Sequence, residues 1–473
     1  MKMLKLLCVV FLLAACGKSE SSGGDGSDGN YAKDIVVTLT PSSVAVKGAG
    51  ANVSTSVGVN DATHLKWVTV AKYRGTELAA TLDNLAAESF VAGKRAFSYV
   101  LTEEDARLGV SFRFAPVDEN GNTGDEATLT VAVAGPSVYP TGAAIVSRMT
   151  GATPAGESYP NPNQTHTRYN IGGSDLGIYW RMGGNKVGIL FGDTYGRDWR
   201  PGYTPDWRSN VLAFSTDTDM SNGLSFDDMV CDTPGNAKEI IYSAHDVSGN
   251  GDWSSIPTAA IRIGGTDYVH YMNVKAWNPR WLTNYSGYAT STDGGQTWTL
   301  HKNVFSASSR FAQVALWEEG EWIYAMGSII GRRGLPYLAR FKGADILRPD
   351  RYQYWNATRG WLVGDELLAS PLFGNYTDEM YAEPTLVYHR YFGRWITVYY
   401  NEIKQRMVMR DAPEPTGPWS EERMIVDEAD YPKLYGGFIH PLQLDGPAMY
   451  LSFSQWDPLY NVFLMKVDLA QEE

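Results

Sequence analysis

From Tyr31 to about Gly135, apolar and polar residues alternate with a period of two, the pattern of half-buried β-strands rather than of helices. The runs Ile35-Val-Val-Thr-Leu-Thr, Ala51-Asn-Val-Ser-Thr-Ser-Val, Leu65-Lys-Trp-Val-Thr-Val, Phe97-Ser-Tyr-Val-Leu, Val110-Ser-Phe-Arg-Phe and Ala127-Thr-Leu-Thr-Val-Ala-Val are separated by turn signals such as Glu119-Asn-Gly. That spacing predicts a β-sandwich of immunoglobulin-like type over residues 31–136, with Trp67 in its core. Gly135-Pro136 closes the segment. It carries no clustered His, Asp or Glu set, so a spacer or protein-binding role is expected of it.

From Ala143 onward the pattern changes to a repeat of strand, turn, aromatic-rich strand and third strand. Five such units follow in order: Leu176–Tyr195, Pro257–Met272, Ala312–Ile329, Glu383–Tyr400 and Phe438–Phe453, each with a further strand behind it. The early strand Ala143-Ala-Ile-Val-Ser-Arg148 is placed to complete the last unit. The expectation is an all-β chain, a five-bladed β-propeller over 143–473 behind the sandwich, with a larger two-sheet sandwich as the rival fold. Ser291-Thr-Asp293-Gly-Gly-Gln-Thr-Trp298 resembles the Asp-box turn of sialidase-like propellers, a structural motif in which Asp293 bonds backbone amides.

The chain begins with two lysines, an apolar run (Leu6 to Leu13) and Leu-Ala-Ala-Cys16. This reads as a secretory signal over 1–16 that is too short to span a bilayer. Small residues before Cys16 resemble the bacterial lipobox, which implies lipidation of Cys16 and anchoring in the outer membrane with the protein exposed at the cell surface. Ser/Gly/Asp-rich residues 17–30 would be a flexible tether. Cys8 leaves with the signal and Cys16 is the anchor, so Cys231 is the lone cysteine of the mature protein and no intrachain disulfide is available. A formal charge of -13 argues against nucleic acid as a partner and against any membrane contact beyond the lipid anchor. The 15 Trp and 28 Tyr either fill a large β core or form flat platforms for sugar rings.

The stretch Gly173 to Gly196 is a hairpin turning at Gly183-Gly-Asn185, with Asp175 on one strand and Asp193 at the end of the other. The second strand, Lys186 to Phe191, is nearly all apolar. Carboxylates at the ends of buried strands are costly unless they are paired, hydrogen-bonded or open to a cleft; each could also simply cap a turn. In a propeller the inner-strand ends converge, so Asp175 and Asp193 can meet Ser255 to Thr258, His270, Asn273, Gln313, Glu383 and His440 there. Three of these segments share a residue-Pro-residue pattern: Ile256-Pro-Thr, Glu383-Pro-Thr and His440-Pro-Leu. Paired carboxyls in an aromatic pocket are the means of glycoside hydrolysis, one protonated to donate to the leaving oxygen and one ionised as nucleophile or base. Asp175 and Asp193 are the expected pair, Glu383 a third acid, and Trp180, Arg197, His270, Asn273, Trp277 and His440 the expected substrate contacts. There is no phosphate loop, HExxH or Gly-x-Ser-x-Gly elbow. No cofactor and no metal site is expected, a structural calcium ion in the channel being left open.

The motifs Gly-Ser-Asp175-Leu-Gly, Leu-Phe-Gly-Asp193-Thr, Ile-Pro-Thr258 and Tyr-Met-Asn-Val-Lys-Ala-Trp277 resemble the domain of unknown function 4185, associated with the endo-D-arabinanases of glycoside hydrolase family 183. The resemblance runs from about Ala143 to the C-terminus, with Ser174 where threonine is expected. It implies a five-bladed propeller that cleaves α-linked D-arabinofuranose chains, as in mycobacterial arabinogalactan and lipoarabinomannan, with Asp175 and Asp193 as catalytic pair. Two other readings stay open: a non-catalytic glycan-binding lipoprotein, and an exo-acting glycosidase such as a sialidase. The arginines a sialidase would need (Arg197, Arg200, Arg208, Arg332, Arg333) do not recur at equivalent positions of the units.

Overall fold

A computed structural model of the chain describes residues 29–472. The signal, Cys16 and most of the tether expected from the sequence lie outside the described residues.

The described N-terminal strands form two sheets. One contains Val37–Thr40, Asn52–Val59 and Lys94–Val100; the other contains Ser43–Val46, Ala127–Val133, Val110–Asp118, Leu65–Arg74 and Glu77–Thr81. Phe97 meets Phe112 and Phe114 with ring centroids 5.2 and 5.1 Å apart. These rings, with Val68 and Val70, are the centre of this core. Trp67, expected there, is only half-buried with Lys66 over its ring. Its position on Leu65–Arg74 has the opposite parity to Val68 and Val70, so its side chain leaves the sheet on the other face.

The rest of the described chain carries five antiparallel sheets of four or five strands that follow one another in sequence, with a two-stranded ladder of Cys231–Thr233 and Asn236–Ala237 between the first and second. Their first two strands are Gly173–Gly183 with Lys186–Tyr195, Ser254–Ile263 with Thr266–Ala276, Gln313–Glu319 with Trp322–Ser328, Tyr381–His389 with Arg394–Asn401, and Leu434–Ile439 with Ala448–Gln455. The fifth sheet is completed by Asn461–Gln471 and, from the other end of the chain, by Val138–Arg148. The first strand of each sheet touches that of the next, and the fifth touches the first. Second strands are largely buried on both faces, and the first and fourth are mostly apolar there: Val187, Ile189, Leu190 and Phe191 in the first, and Ile396, Val398 and Tyr399 in the fourth, are fully buried. In the turn of the second sheet, Asp293 accepts from the Thr297 hydroxyl at 2.6 Å and from the amides of Thr297 and Gln296 at 3.0 and 3.1 Å, and these bonds, the hydroxyl's first, hold its carboxyl below the usual range.

One irregularity recurs. Close to their starts, four of the five first strands carry one residue more than the strand they pair with. The extra residue falls at Gly177, Thr258, Glu383-Pro384 and Gly436-Gly437. Gly177, Gly436 and Gly437 have positive φ, as do Leu176 (69°) and Glu383 (46°). The third sheet pairs regularly from Gln313.

Candidate functional site

The bulged strand starts converge on a cavity of about 270 Å³. Asp175, Asp193, Thr258, Gln313, Glu383 and Tyr435 bring one or more polar groups to it from each of the five sheets. Its apolar wall includes Trp277, Trp281, Phe438, Trp456 and Tyr460.

The two aspartates sit side by side through a pair of compensating bulges. Between Ser174↔Thr194 and Leu176↔Phe191 the second strand carries an extra residue, so Gly192 and Asp193 together face Asp175; the first strand recovers the register at Gly177. A Cβ at residue 192 would collide with Asp175 Oδ1 and with Leu176, so glycine is required there by close approach and not by φ. Asp175 Oδ2 accepts from the Tyr435 hydroxyl at 2.8 Å. Removal from water, then the charge of Asp193, push its carboxyl up to about 7 against the pull of the Tyr460 and Tyr435 hydroxyls. Asp193 Oδ1 accepts from Trp207 Nε1 and from Ser254 Oγ, both at 2.7 Å. Burial raises it to about 6, and those two donors restrain the rise. Each carboxyl is thus held by neutral donors, with the higher value at Asp175.

Glu383 faces the same cavity, with both oxygens engaged. Arg332 Nε donates to its Oε1 at 2.8 Å, and the Gly436 amide donates to its Oε2 at 3.2 Å. Arg332 also lies 3.5 Å from Glu402 and over the rings of Trp281, Tyr400 and Tyr435. Its neighbouring carboxylates hold the guanidinium charged despite its desolvation. Glu383 therefore ties the third and fourth sheets to the bulge of the fifth, immediately beside the tyrosine that bonds Asp175.

The expected substrate contacts divide. Trp277 lines the cavity, in edge contact with Trp281 at 4.8 Å. Trp180 does not: it is core, donates from Nε1 to Asp267 at 2.9 Å, and stands near the opposite end of its strand. Five residues of strand are about 16 Å, which removes it from Asp175. His440-Pro441 likewise lies past the far end of Leu434–Ile439, where Pro441 meets Arg181; the cavity end of that strand is Tyr435 to Phe438. His440 is fully buried against Tyr179, and burial lowers it to about 4. His270 sits behind the wall, 2.6 Å from Thr258 Oγ1, lowered by burial to about 3. Asn273 is spent inside a network with Asp252 and Asn284. Arg197 is exposed and bonds Asn170, so the cavity's guanidinium is Arg332 instead. Tyr435, Tyr460, Trp207, Ser254 and Trp281 were not expected from the sequence; the Gly436-Gly437 pair beside Tyr435 was the one local signal of a bulge. Among the described residues no group of three or more His, Cys, Asp or Glu side chains is arranged to hold a metal ion.

Residues 160–466 match the family described as a domain of unknown function, DUF4185. The chain belongs to the DUF4185 family. Curated relatives of this DUF4185 protein include notoamide biosynthesis cluster protein J of Aspergillus sp. (strain MF297-2), 30% identical over 315 residues that span 62% of this chain and 82% of the relative. Protein J' of the notoamide biosynthesis cluster of Aspergillus versicolor is 31% identical over 307 residues, 61% of this chain and 82% of the relative. Similar solved structures include a family 117 glycoside hydrolase of Zobellia galactanivorans (13% identity, 69% of this chain and 90% of that one, TM-score 0.38). An arabinanase of Bacillus subtilis is also similar (13% identity, 63% and 96% coverage, TM-score 0.38).

Proposed function

We propose that this DUF4185 protein is a glycoside hydrolase that cuts within D-arabinan chains, with Asp175 as general acid and Asp193 as the ionised carboxylate. The observation that carries this reading is geometric: two carboxyls stand on adjacent strands in one aromatic-walled cavity, each held by neutral donors and each pushed up by burial, Asp175 to about 7 and Asp193 to about 6. At a pH between those values the dyad holds one proton, mostly on Asp175, which is the state that can protonate a leaving glycosidic oxygen while the partner attacks or activates water. The two values belong to the interacting pair as much as to either residue. Trp277, Trp281 and the exposed Trp456 offer ring faces for sugars. The cavity's arginine is matched by Glu383 and Glu402, which favours a neutral glycan over a sialic or uronic acid. Glu383 is a positioning residue in this reading, not a third acid.

The choice of D-arabinan rests on the sequence motifs around Asp175 and Asp193. The same reading takes the five sheets as blades of a five-bladed propeller over 143–473 and residues 31–136 as an immunoglobulin-like spacer. It puts the protein at the outer-membrane surface through Cys16.

The test is product analysis of the purified protein with mycobacterial arabinogalactan, beside D175N and D193N. A ladder of arabinose oligomers is expected from wild type, slowed at least about 10³-fold in both variants while their melting curves stay cooperative. A ladder that survives both substitutions would remove the pair from catalysis. Binding of the glycan without any product would make the protein a capture module instead.

A further inference from the structure

Behind the Trp207 indole that bonds Asp193 lies an ionisable pair that the chemistry above does not use. His245 stacks obliquely on Trp207, ring centroids 4.2 Å apart and planes at 48°, and Trp207 is the residue whose Nε1 donates to Asp193 Oδ1. His245 Nε2 stands 3.4 Å from Glu239 Oε1, and Glu239 is itself fixed by the Ser209 amide at 2.8 Å. The imidazole's other nitrogen, Nδ1, is buried without a hydrogen-bond partner. The backbone of His245 is in the left-handed region (φ 53°), which for a residue other than glycine costs energy and recurs where the side chain has a task.

We propose that His245, backed by Glu239, is a positioning residue for Asp193: it packs the Trp207 indole into its hydrogen bond and, when protonated, sets a positive charge beside the carboxylate. The charged groups that bear on Asp193 are His245, which favours its ionised form, and Glu239 and Asp175, which oppose it. Glu239 thus has two effects. It repels Asp193 directly, and its Oε1, 3.4 Å from Nε2, orients the imidazole that packs against Trp207. In a hydrolase with Asp193 as the ionised member, this pair would keep Asp193 charged on the acidic side of the active range. The inference rests on the proposed role of Asp193, but its test needs no substrate.

The experiment is a ¹³C-carboxyl NMR titration of the protein labelled at aspartate Cγ, with D193N identifying the Asp193 resonance. H245N is the variant of choice, because asparagine also accepts the left-handed backbone while losing the charge and the ring. The Asp193 midpoint is expected to move up by about one pH unit in H245N and to return toward the wild-type value in H245K. If H245N fails to fold, ¹⁵N-imidazole titration of His245 in wild type and D193N reads the same coupling from the other side. Linkage requires that the charge part of the coupling appear from both sides, so the His245 midpoint must fall in D193N if His245 charge contributes to the rise of the Asp193 midpoint in H245N. An Asp193 midpoint unchanged in H245N, or a His245 midpoint unchanged in D193N, overturns the proposal even if hydrolysis is impaired. A full shift in a protein that proves to cleave no glycan leaves the coupling standing and removes only the hydrolase reading.

Discussion

Gly192 has no room for a side chain because Asp175 Oδ1 and Leu176 occupy the place of its Cβ. G192A should therefore displace the Asp175 carboxyl. The expected result is a loss of kcat/KM on the order of 10²-fold and of stability by about 1–3 kcal/mol, read by kinetics and by chemical denaturation. An unaffected enzyme would mean that the two carboxyls need not be held side by side. The protonation states make a second prediction at this scale. With Asp175 near 7 and Asp193 near 6, kcat/KM should follow a narrow bell, falling below about pH 6 as Asp193 gains its proton and above about pH 7 as Asp175 loses it. D193N should lack the acidic limb. The aspartates are legible in the sequence because each stands close to glycine at the end of a strand. Their donors are not, since Tyr435, Trp207 and Ser254 lie 260, 14 and 61 residues away in sequence from the carboxyl each one bonds.

At the scale of the strands, the site is a set of bulges. Each inserted residue turns a strand start away from regular pairing and aims one side chain into the cavity: Asp175 beside Leu176-Gly177, Thr258, Glu383, and Tyr435 beside Gly436-Gly437. Period-two alternation places residues on one face or the other only while the register holds, so it could not tell which residues at a strand start turn inward. That is why His440 and Trp180, reasonable by pattern, belong to the far ends of strands whose near ends build the site. Glu383 tests this picture. E383Q keeps the shape but leaves Arg332 without its closest counter-charge and weakens the hold on Gly436. A stability loss of about 3 kcal/mol is expected, with a lower kcat and both limbs of the pH profile retained. Disappearance of a limb would instead make Glu383 a proton-transfer group.

For the molecule as a whole, the raised aspartates oppose stability in a defined pH window. Asp175 is protonated in the folded protein up to about pH 7, whereas its ordinary value is 3.8. Between those values the folded state binds more protons than the unfolded one, so this group lowers stability as pH rises through the window. D175N removes the effect. Its unfolding free energy relative to wild type should climb from pH 4 to pH 7 and level off above, by on the order of 4 kcal/mol in all, and its relative Tm should climb with it. A Tm difference independent of pH would show that the carboxyl is not raised. His270 and His440, lowered by burial, act in the opposite sense and destabilise the fold as pH falls from 6.5 toward 4 and below. The all-β class, the five recurring strand units, the return of the strand after Ala143 to the last sheet and the two aspartates could all be read from the order of residues alone. They follow from local periodicity and from the cost of burying charge. Which side chains share the cavity with Asp175 and Asp193 was set by the folded chain, because that depends on register shifts at strand starts and on partners brought together from five separate sheets.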